Sequence, residues 1–187
     1  MIRRTGMLNG PLVTLRPFRA DDLPRMREWM RDPETSRTWA RAPIVPDSRF
    51  EDDLVGKFKR FDTSGYFAID DSQGHFVGRI EFENLQLVDR TAEVMIMLGE
   101  PSARGKGLGT DAMVTLLRYL FDGRQLERVW LTVFARNEAA IASYKKVGFV
   151  VEGRLREDCW IEGALHDQLV LGILRAEFNA KWNAATP

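Results

Sequence analysis

The sequence contains a single cysteine, Cys159, and only two histidines, His75 and His166, among its 187 residues. One cysteine excludes an internal disulfide framework and any metal site built from cysteines alone. The two histidines leave few ligands for zinc, so we expect no metal ion. We expect both histidines to be exposed or hydrogen-bonded rather than catalytic, and Cys159 to be a packed thiol.

The sequence also lacks a surplus of either charge. Lysine and arginine together number 27, and so do aspartate and glutamate, which gives a formal net charge of zero. Phosphate-driven affinity needs a basic surplus or a basic stripe, so we expect no nucleic-acid partner. Hydrophobic residues make up 44% and charged residues 29%, which is ordinary for a globular domain and unlike a disordered chain.

Long apolar runs are missing as well. No stretch approaches the roughly 20 apolar residues of a membrane span, so we expect no membrane partner. The start of the chain lacks the apolar region of a secretory signal, because Asn9 and Gly10 interrupt it. Without a repeat or a long linker, residues 1–187 are expected to form one domain in the cytoplasm.

The hydrophobic patterns predict a mixed α/β (α+β) domain with elements in the order β-αα-βββ-α-β-α-ββ. The predicted sheet has about seven strands and is accompanied by four helices. Strand 92–98 is apolar on both faces and is therefore expected to be central. Strands are predicted at 12–16, 66–69, 76–82, 92–98, 128–134, 150–159 and 165–174. Helices are predicted at 21–30, from Asp47 or Ser48 to Phe58, at 109–121 and at 137–146.

A glycine-rich segment, Arg104-Gly-Lys-Gly-Leu-Gly109, lies between the predicted central strand and the helix at 109–121. Glycines let the backbone approach a ligand closely, and free N–H groups at a helix N-terminus bind anions. The segment therefore indicates a phosphate site, although a plain glycine-rich turn would contain the same residues.

Two common phosphate loops fit this segment poorly. A Walker A loop needs Lys-Ser/Thr directly after its last glycine, whereas Lys106 comes too early and Thr110 follows Gly109 at once. A dinucleotide fingerprint fits Gly107-Leu-Gly-Thr-Asp-Ala112, with Glu127 as its acidic residue. Glu127 precedes the next predicted strand instead of ending it, which disfavours this alternative.

A third pattern fits better. Arg104-x-x-Gly107-x-Gly109 matches the Q/R-x-x-G-x-G/A pyrophosphate loop of the GCN5-related N-acetyltransferase (GNAT) superfamily. Further along, Asn137-Glu-Ala-Ala-Ile-Ala-Ser-Tyr-Lys-Lys-Val-Gly-Phe149 resembles the N-x-x-A-x-x-x-Y-x-x-x-G-F segment of that superfamily. The resemblance covers nearly the whole chain and implies the GNAT fold.

Three shorter stretches resemble one branch of the superfamily, the RimJ/RimL-like enzymes that acetylate the N-termini of ribosomal proteins. They are Leu12-Val-Thr-Leu-Arg-Pro17, the Ala92-Glu93 strand start and the Gly163…Asp167 end. The branch also contains polyamine and antibiotic acetyltransferases, and its members are often dimers. The resemblance thus implies transfer of an acetyl group from acetyl-CoA to a primary amine, with no metal and with a homodimer as one option.

The resemblance also implies how acetyl-CoA is held. Its pantetheine arm would pair with the central strand at Ile96, Met97 and Leu98, whose N–H groups would polarise the thioester carbonyl. The residues implied to hold the diphosphate are Arg104, Gly105, Lys106, Gly107, Leu108, Gly109 and Thr110. Asn137 is implied to hydrogen-bond the arm, although asparagine is also a favoured helix N-cap.

Two residues are implied to handle protons. Tyr144 lies two helical turns after Asn137, and its phenol would protonate the departing CoA thiolate, unless the ring only packs under the helix. Glu93 is the best-placed carboxylate to take the proton of the amine through water, and Glu83 is second. Both carboxylates could equally be charges at strand ends.

The acceptor amine stays open, as either a protein N-terminus or a small molecule. By resemblance Trp39 and Trp160 border the acceptor pocket, and Arg37 and Arg41 would suit an acidic acceptor. A non-catalytic acyl-CoA-binding or sensing module on the same fold is the alternative function, and a pure interaction protein is a third. Tyr144 favours the enzyme, because a module without catalysis could lose that residue freely.

Overall fold

The fold is centred on one mixed β-sheet, as a computed structural model describes it for residues 7–33, 63–161 and 163–183. The sheet has eight strands in the order β1-β2-β3-β4-β5-β6-β8-β7. The strands are β1 (Leu8–Asn9), β2 (Val13–Arg16), β3 (Gly65–Asp71), β4 (Phe76–Gln86), β5 (Thr91–Leu98), β6 (Arg128–Phe134), β7 (Val150–Ile161) and β8 (Ala164–Leu174). The described α-helices are α1 (Leu23–Arg31), α2 (Leu108–Arg118), α3 (Glu138–Val147) and α4 (Arg175–Trp182). No helix in these ranges is long and apolar enough to cross a membrane.

The predicted fold class is confirmed, with two additions at the ends of the chain. The sheet has eight strands instead of about seven, because the short β1 folds back onto β2 through a turn closed by Gly10 N–H and Val13 O at 2.9 Å. Helix α4 follows β8 without a break and buries Phe178, and the sequence analysis predicted no helix after that strand. The helix predicted to end at Phe58 lies outside the described residues.

The sheet separates a large core from a small one. Alternate residues of each strand point to opposite faces, and one face packs against α2 to form the main core. The largest fully buried side chains include Leu15, Ile69, Ile80, Met113, Leu116, Leu117, Phe121, Leu131 and Phe178. On the opposite face, Met26 and Trp29 of α1 pack against Met97 of β5. Strand β5 thus lies between two packed layers, as predicted for a central strand.

A buried ion cluster fixes the segment before α1 to the sheet. The Arg16 guanidinium donates to both carboxylate oxygens of Asp22, at 2.7 and 2.8 Å, and to Asp70 at 2.6 Å. Asp22 stands at the N-cap position of α1, but its side chain makes no capping hydrogen bond to that helix. Its carboxylate instead accepts from Arg16 and from the Arg19 N–H, because a buried guanidinium needs acceptors more than a solvated helix end does.

Candidate functional site

The central feature of the site is an opening between β5 and β6, which we call the fork. The two strands run parallel and pair only at Thr91↔Arg128, Ala92↔Val129 and Glu93↔Trp130. Strand β5 then continues to Leu98 beside β4, and β6 continues to Phe134 beside β8. In the described part of the chain, the facing edges beyond Glu93 and Trp130 pair with no strand, so an extended ligand can bind between them.

Only alternate residues of β5 direct their backbone groups into the fork. The Met97 carbonyl lies against β4, since a Cβ added at Gly78 would fall 2.3 Å from its oxygen. The Leu98 carbonyl points away from β4 and accepts a hydrogen bond from Arg104 Nε at 3.2 Å. Because backbone directions alternate along a strand, Ile96 and Leu98 face the fork and Met97 does not. The sequence analysis had named all three as donors, and the structure removes Met97.

The glycine loop joins the end of β5 to the N-terminus of α2. Gly105 and Gly107 have φ of +73° and +82°, a left-handed conformation that favours glycine. The first intrahelical hydrogen bond runs from Asp111 N to Gly107 O at 3.0 Å. The N–H groups of the three residues between them therefore have no acceptor within the helix. A Cβ added at Gly105 would meet nothing within 4 Å, so a ligand can approach the backbone there.

The charged side chains around this loop divide into two groups. Arg104 is half-buried and Lys106 is exposed. Both side chains place a positive charge near the N-terminus of α2. Asp111 faces the other way and accepts from Leu12 N at 2.7 Å and Val13 N at 3.0 Å. Its carboxylate thus anchors the β1–β2 turn to α2. With positive charge beside exposed N–H groups, the loop can hold an anion such as a diphosphate.

Helix α3 begins and ends where the sequence predicted. Asn137 is its N-cap, with Oδ1 accepting from Ala140 N at 3.1 Å, and Gly148 ends it with a φ of 125°. The capping interpretation of Asn137 is therefore confirmed. Its amide NH2 makes no hydrogen bond to the described residues, so the implied bond to a pantetheine arm stays a prediction. Thr110 and Ser143, with hydroxyl oxygens 3.2 Å apart, join α2 to α3.

Tyr144 projects from α3 toward the main core. Its ring packs edge-on against Phe149, with ring centroids 5.9 Å apart. Burial raises the pKa of Tyr144 to about 12, so the phenol is protonated at neutral pH. The hydroxyl makes no hydrogen bond to the described residues, which leaves its proton available to a ligand.

The two candidate bases lie side by side on the sheet face opposite to the main core. Glu83 of β4 and Glu93 of β5 are cross-strand partners, and Asn84 Nδ2 donates to Glu93 at 2.9 Å. Tyr66 donates its hydroxyl proton to Glu83, and burial together with this carboxylate raises the pKa of Tyr66 above its usual range. Glu93 is also the last residue of β5 before the fork.

A third carboxylate on this face was missed by the sequence analysis. Glu81 lies two residues before Glu83 and is 1% exposed, with Arg79 at 3.6 Å. The alternation Ile80-Glu81-Phe82-Glu83 along β4 was the available signal. Ile80 and Phe82 are buried on one face of the strand, so Glu81 and Glu83 share the other face. We call Glu81, Glu83 and Glu93 the acidic face.

The remaining residues named from the sequence lie away from the fork or outside the description. His75 is exposed and contacts Asp71. Cys159 is buried and is the cross-strand partner of His166 in the β7–β8 register. Trp160 is 70% exposed. The predictions for Arg37, Trp39 and Arg41 lie outside the described residues. Within the described ranges, no group of three His, Cys, Asp or Glu residues could hold a metal ion.

Comparison with known proteins gives a consistent result. The family described as acetyltransferase (GNAT) domain matches residues 13–150. The chain is 29% identical to a spermidine N(1)-acetyltransferase of Escherichia coli (strain K12), over 90% of this chain and 89% of that protein. It is 28% identical to YdaF of Bacillus subtilis (strain 168), named provisionally a ribosomal N-acetyltransferase, over 84% and 82% of the two chains. The crystal structure of spermidine N-acetyltransferase from Vibrio cholerae with CoA and spermine superposes with a TM-score of 0.81, at 25% identity, over 89% of this chain and 97% of that one.

Proposed function

The chain belongs to the GNAT acetyltransferase family, and on that premise we propose how its residues carry out the reaction. The enzyme uses acetyl-CoA as co-substrate and transfers the acetyl group to an amine. The observation that carries the proposal is the fork between β5 and β6, which opens directly toward the glycine loop at the N-terminus of α2. One N-acetyltransferase domain contains both parts of the site.

The fork and the loop divide the binding of acetyl-CoA between them. The diphosphate binds the N–H groups from Gly105 to Thr110, with Arg104 and Lys106 adding positive charge. The pantetheine arm lies along β5 as an added strand and pairs with Ile96 and Leu98. Backbone pairing gives affinity without requiring particular side chains, so the apolar character of β5 is compatible with this role.

Asn137 and an N–H group of β5 provide the remaining contacts to acetyl-CoA. The Asn137 amide has a donor left after capping α3 and donates it to the arm. A β5 N–H donates to the thioester carbonyl, where negative charge builds as the amine attacks. Ile96 is the better candidate for this donor, because its backbone faces the fork midway along the unpaired edge.

The reaction is a direct transfer within a ternary complex. The lone pair of a neutral amine attacks the thioester carbonyl, so that a C–N bond forms and the C–S bond breaks. Glu93, directly or through water, takes the proton that the amine nitrogen loses, with Glu83 as the alternative base. The sulfur leaves as a thiolate that gains one proton, and the products are an amide and CoA.

Tyr144 stabilises the departing sulfur. A thiol has a pKa near about 8.5, whereas burial raises the pKa of Tyr144 to about 12. Complete proton transfer from the phenol to the thiolate is therefore uphill. We infer that Tyr144 instead donates a hydrogen bond to the sulfur as its charge builds, and that solvent supplies the proton.

The acidic face favours a cationic acceptor. Among the described residues, it places the carboxylates of Glu83 and Glu93 side by side where the fork begins, with Glu81 and Arg79 next to them. A small polyamine and the α-amino group of a protein both meet this requirement, and the RimJ/RimL-like branch contains enzymes for each. We infer that an amine carrying a second positive charge is the preferred acceptor, since Glu83 and Glu93 are two adjacent carboxylates that can each contact a cation.

Calorimetric titration with acetyl-CoA tests the core of this proposal. The wild type is expected to bind acetyl-CoA, and Gly107→Glu is expected to abolish binding, since it puts a carboxylate at the anion site. Gly74→Glu is the matched control, because Gly74 also has a positive φ but lies in the β3–β4 turn. Absence of binding by the wild type would overturn the proposal.

Turnover then separates the enzyme from an acyl-CoA-binding or sensing module on the same fold. Release of free CoA is measured with spermidine and with a peptide carrying a free N-terminus. Release of CoA with either amine supports the enzyme and identifies the acceptor class. Binding without release across a broad panel of amines would favour the non-catalytic module.

We also infer a cytoplasmic homodimer. The outer edge of β7 pairs with no strand in the described part of the chain, and Val150, Val151, Leu155 and Trp160 of this strand are exposed. A long edge strand with exposed apolar side chains favours pairing with another chain. Cys159 is buried and forms no disulfide, which suits a reducing compartment.

A further inference from the structure

Trp130 occupies the apex of the fork. It is the last residue of β6 that still pairs with β5, and its partner is Glu93. Its neighbours in the strand, Val129 and Leu131, are 0% and 1% exposed and belong to the main core. Since side chains alternate between the two faces of a sheet, the Trp130 indole lies on the opposite face, together with Glu93.

The β8 side of Trp130 is already filled. Its partner on β8 is Gly172, and the Glu152 carboxylate lies directly above that glycine, where an added Cβ would fall 2.2 Å from Glu152 Oε1. Arg128, on the same face of β6, donates a hydrogen bond to Glu152. This ion pair bounds the half-buried indole on one side. Among the described residues, the ion pair fills the β8 side, so we place the ring on the side of β5 and the fork.

We propose that Trp130 limits the length of the acyl group that the enzyme accepts. The proposal rests on the proposed function, because it requires the pantetheine arm to run along Leu98 and Ile96. The glycine loop lies at the C-terminal end of β5 and the apex lies toward its N-terminal end. An arm that enters from the loop thus brings its thioester end to the apex, and the acyl group lies beside Trp130 and Glu93.

The shape of the apex favours a short acyl chain. The indole is rigid, and the Arg128–Glu152 pair above Gly172 limits its rotation toward β8. Each methylene added to the acetyl group must therefore displace the indole or the thioester. One methylene in an apolar pocket typically changes discrimination by about 10-fold to 200-fold. The limit applies to straight-chain acyl-CoA thioesters as acyl donors, with the acetyl group preferred over propionyl and butyryl groups.

Calorimetric titration tests this limit without a known acceptor. The wild type and Trp130→Ala are titrated with CoA, acetyl-CoA, propionyl-CoA and butyryl-CoA. The wild type is expected to bind butyryl-CoA about tenfold or more weakly than acetyl-CoA. In Trp130→Ala this ratio is expected to fall to about one or to reverse, with affinity for CoA itself within about twofold of the wild type.

Two further variants control for the loss of a tryptophan. Trp182→Ala removes the same side chain from a half-buried position on α4, outside the fork, so the ratio should stay at its wild-type value. Trp130→Phe keeps a smaller ring at the apex and is expected to give a ratio between those of the wild type and Trp130→Ala. If Trp130→Ala fails to fold, Trp130→Phe carries the test, and a wild-type ratio in it would overturn the limit.

The possible results distinguish this inference from the proposed function. Equal binding of acetyl-CoA and butyryl-CoA by the wild type would overturn the acyl-length limit alone. An unchanged ratio in a Trp130→Ala protein that still binds CoA would do the same. Failure of the wild type to bind CoA or any of its thioesters would overturn the proposed function, and the limit with it.

Discussion

Tyr144 and Glu93 lie on opposite faces of the sheet. Tyr144 can therefore approach the departing sulfur from one side of the thioester, while Glu93 approaches the amine from the other side. Tyr144 packs with the main core, whereas Glu93 belongs to the acidic face. Each residue can therefore be removed with a different expected effect on rate and binding.

Tyr144→Phe should lower kcat and leave the binding of acetyl-CoA nearly unchanged. Removing one preorganised hydrogen-bond donor to a developing charge typically lowers kcat by about 10²-fold to 10³-fold, and the proposed hydrogen bond forms only as the C–S bond breaks. Steady-state kinetics and calorimetry measure the two quantities. Because the pKa of Tyr144 is about 12, its ionisation should not lower the wild-type rate between neutral pH and about pH 10. A kcat equal to that of the wild type would remove this role of Tyr144.

Glu93→Gln should lower kcat/KM at neutral pH and recover activity as the pH rises. A base is needed chiefly while the acceptor amine is protonated, and high pH supplies the neutral amine without help. The pH–rate profile of kcat/KM is the measurement. Glu83→Gln is the matched variant, because Glu83 is the cross-strand partner of Glu93. If Glu83→Gln shows the loss and the recovery while Glu93→Gln does not, the base is Glu83.

At the scale of elements, α1 and β5 together fix the start of the glycine loop. Gly99 follows β5 directly, and a Cβ added there would fall 2.0 Å from the Trp29 ring of α1. Trp29 also packs against Phe76 of β4, with ring centroids 4.7 Å apart. The helix is thus in direct contact with the backbone that leads into the loop, and only glycine fits at the contact.

Gly99→Ala should therefore weaken both the fold and the binding of acetyl-CoA. Overpacking of this kind typically costs about 1–3 kcal/mol of the free energy of unfolding. Denaturant unfolding and calorimetric titration are the measurements. Gly153→Ala on β7 is the control, since a Cβ there meets nothing within 4 Å. A Gly99→Ala protein with wild-type stability and affinity would contradict the contact between Trp29 and the loop.

At the scale of the whole molecule, the proposed dimer depends on β7. This strand closes one end of the sheet, whereas β1 at the other end has two residues. Twelve residues of β7 offer a much longer edge for pairing. The site for acetyl-CoA lies in the interior of the sheet, between β5 and β6, so pairing at the edge leaves the fork open.

Sedimentation velocity should therefore show a dimer that Trp160→Glu converts to a monomer. The substitution places a charge on the exposed apolar surface of β7, and removing that charge from solvent would cost free energy. Leu87→Glu is the control, because Leu87 is 67% exposed but lies in the β4–β5 turn. A wild-type monomer, or a dimer that persists in Trp160→Glu, would contradict the β7 interface.

The sequence by itself determined the features that depend on neighbouring residues. The glycine-rich segment before α2 and the Asn137 cap of α3 were predicted, because caps and turns are local. The order of elements and the central position of β5 also followed, since hydrophobic period and length distinguish helices from strands. The short β1 and helix α4 were not predicted, because each has too few residues for a hydrophobic period to be recognised.

Only the tertiary structure decided how the strands meet. The sequence could not show that pairing of β5 with β6 stops at Glu93 and Trp130, or that Met97 turns its backbone toward β4. It also gave no reason to join Tyr66 and Glu81 to the site. These relations depend on the register between segments far apart in the chain, and a shift of one residue would move every side chain to the other face. Register is set by packing of the whole sheet, so the acidic face and the apex of the fork exist only once the chain has folded.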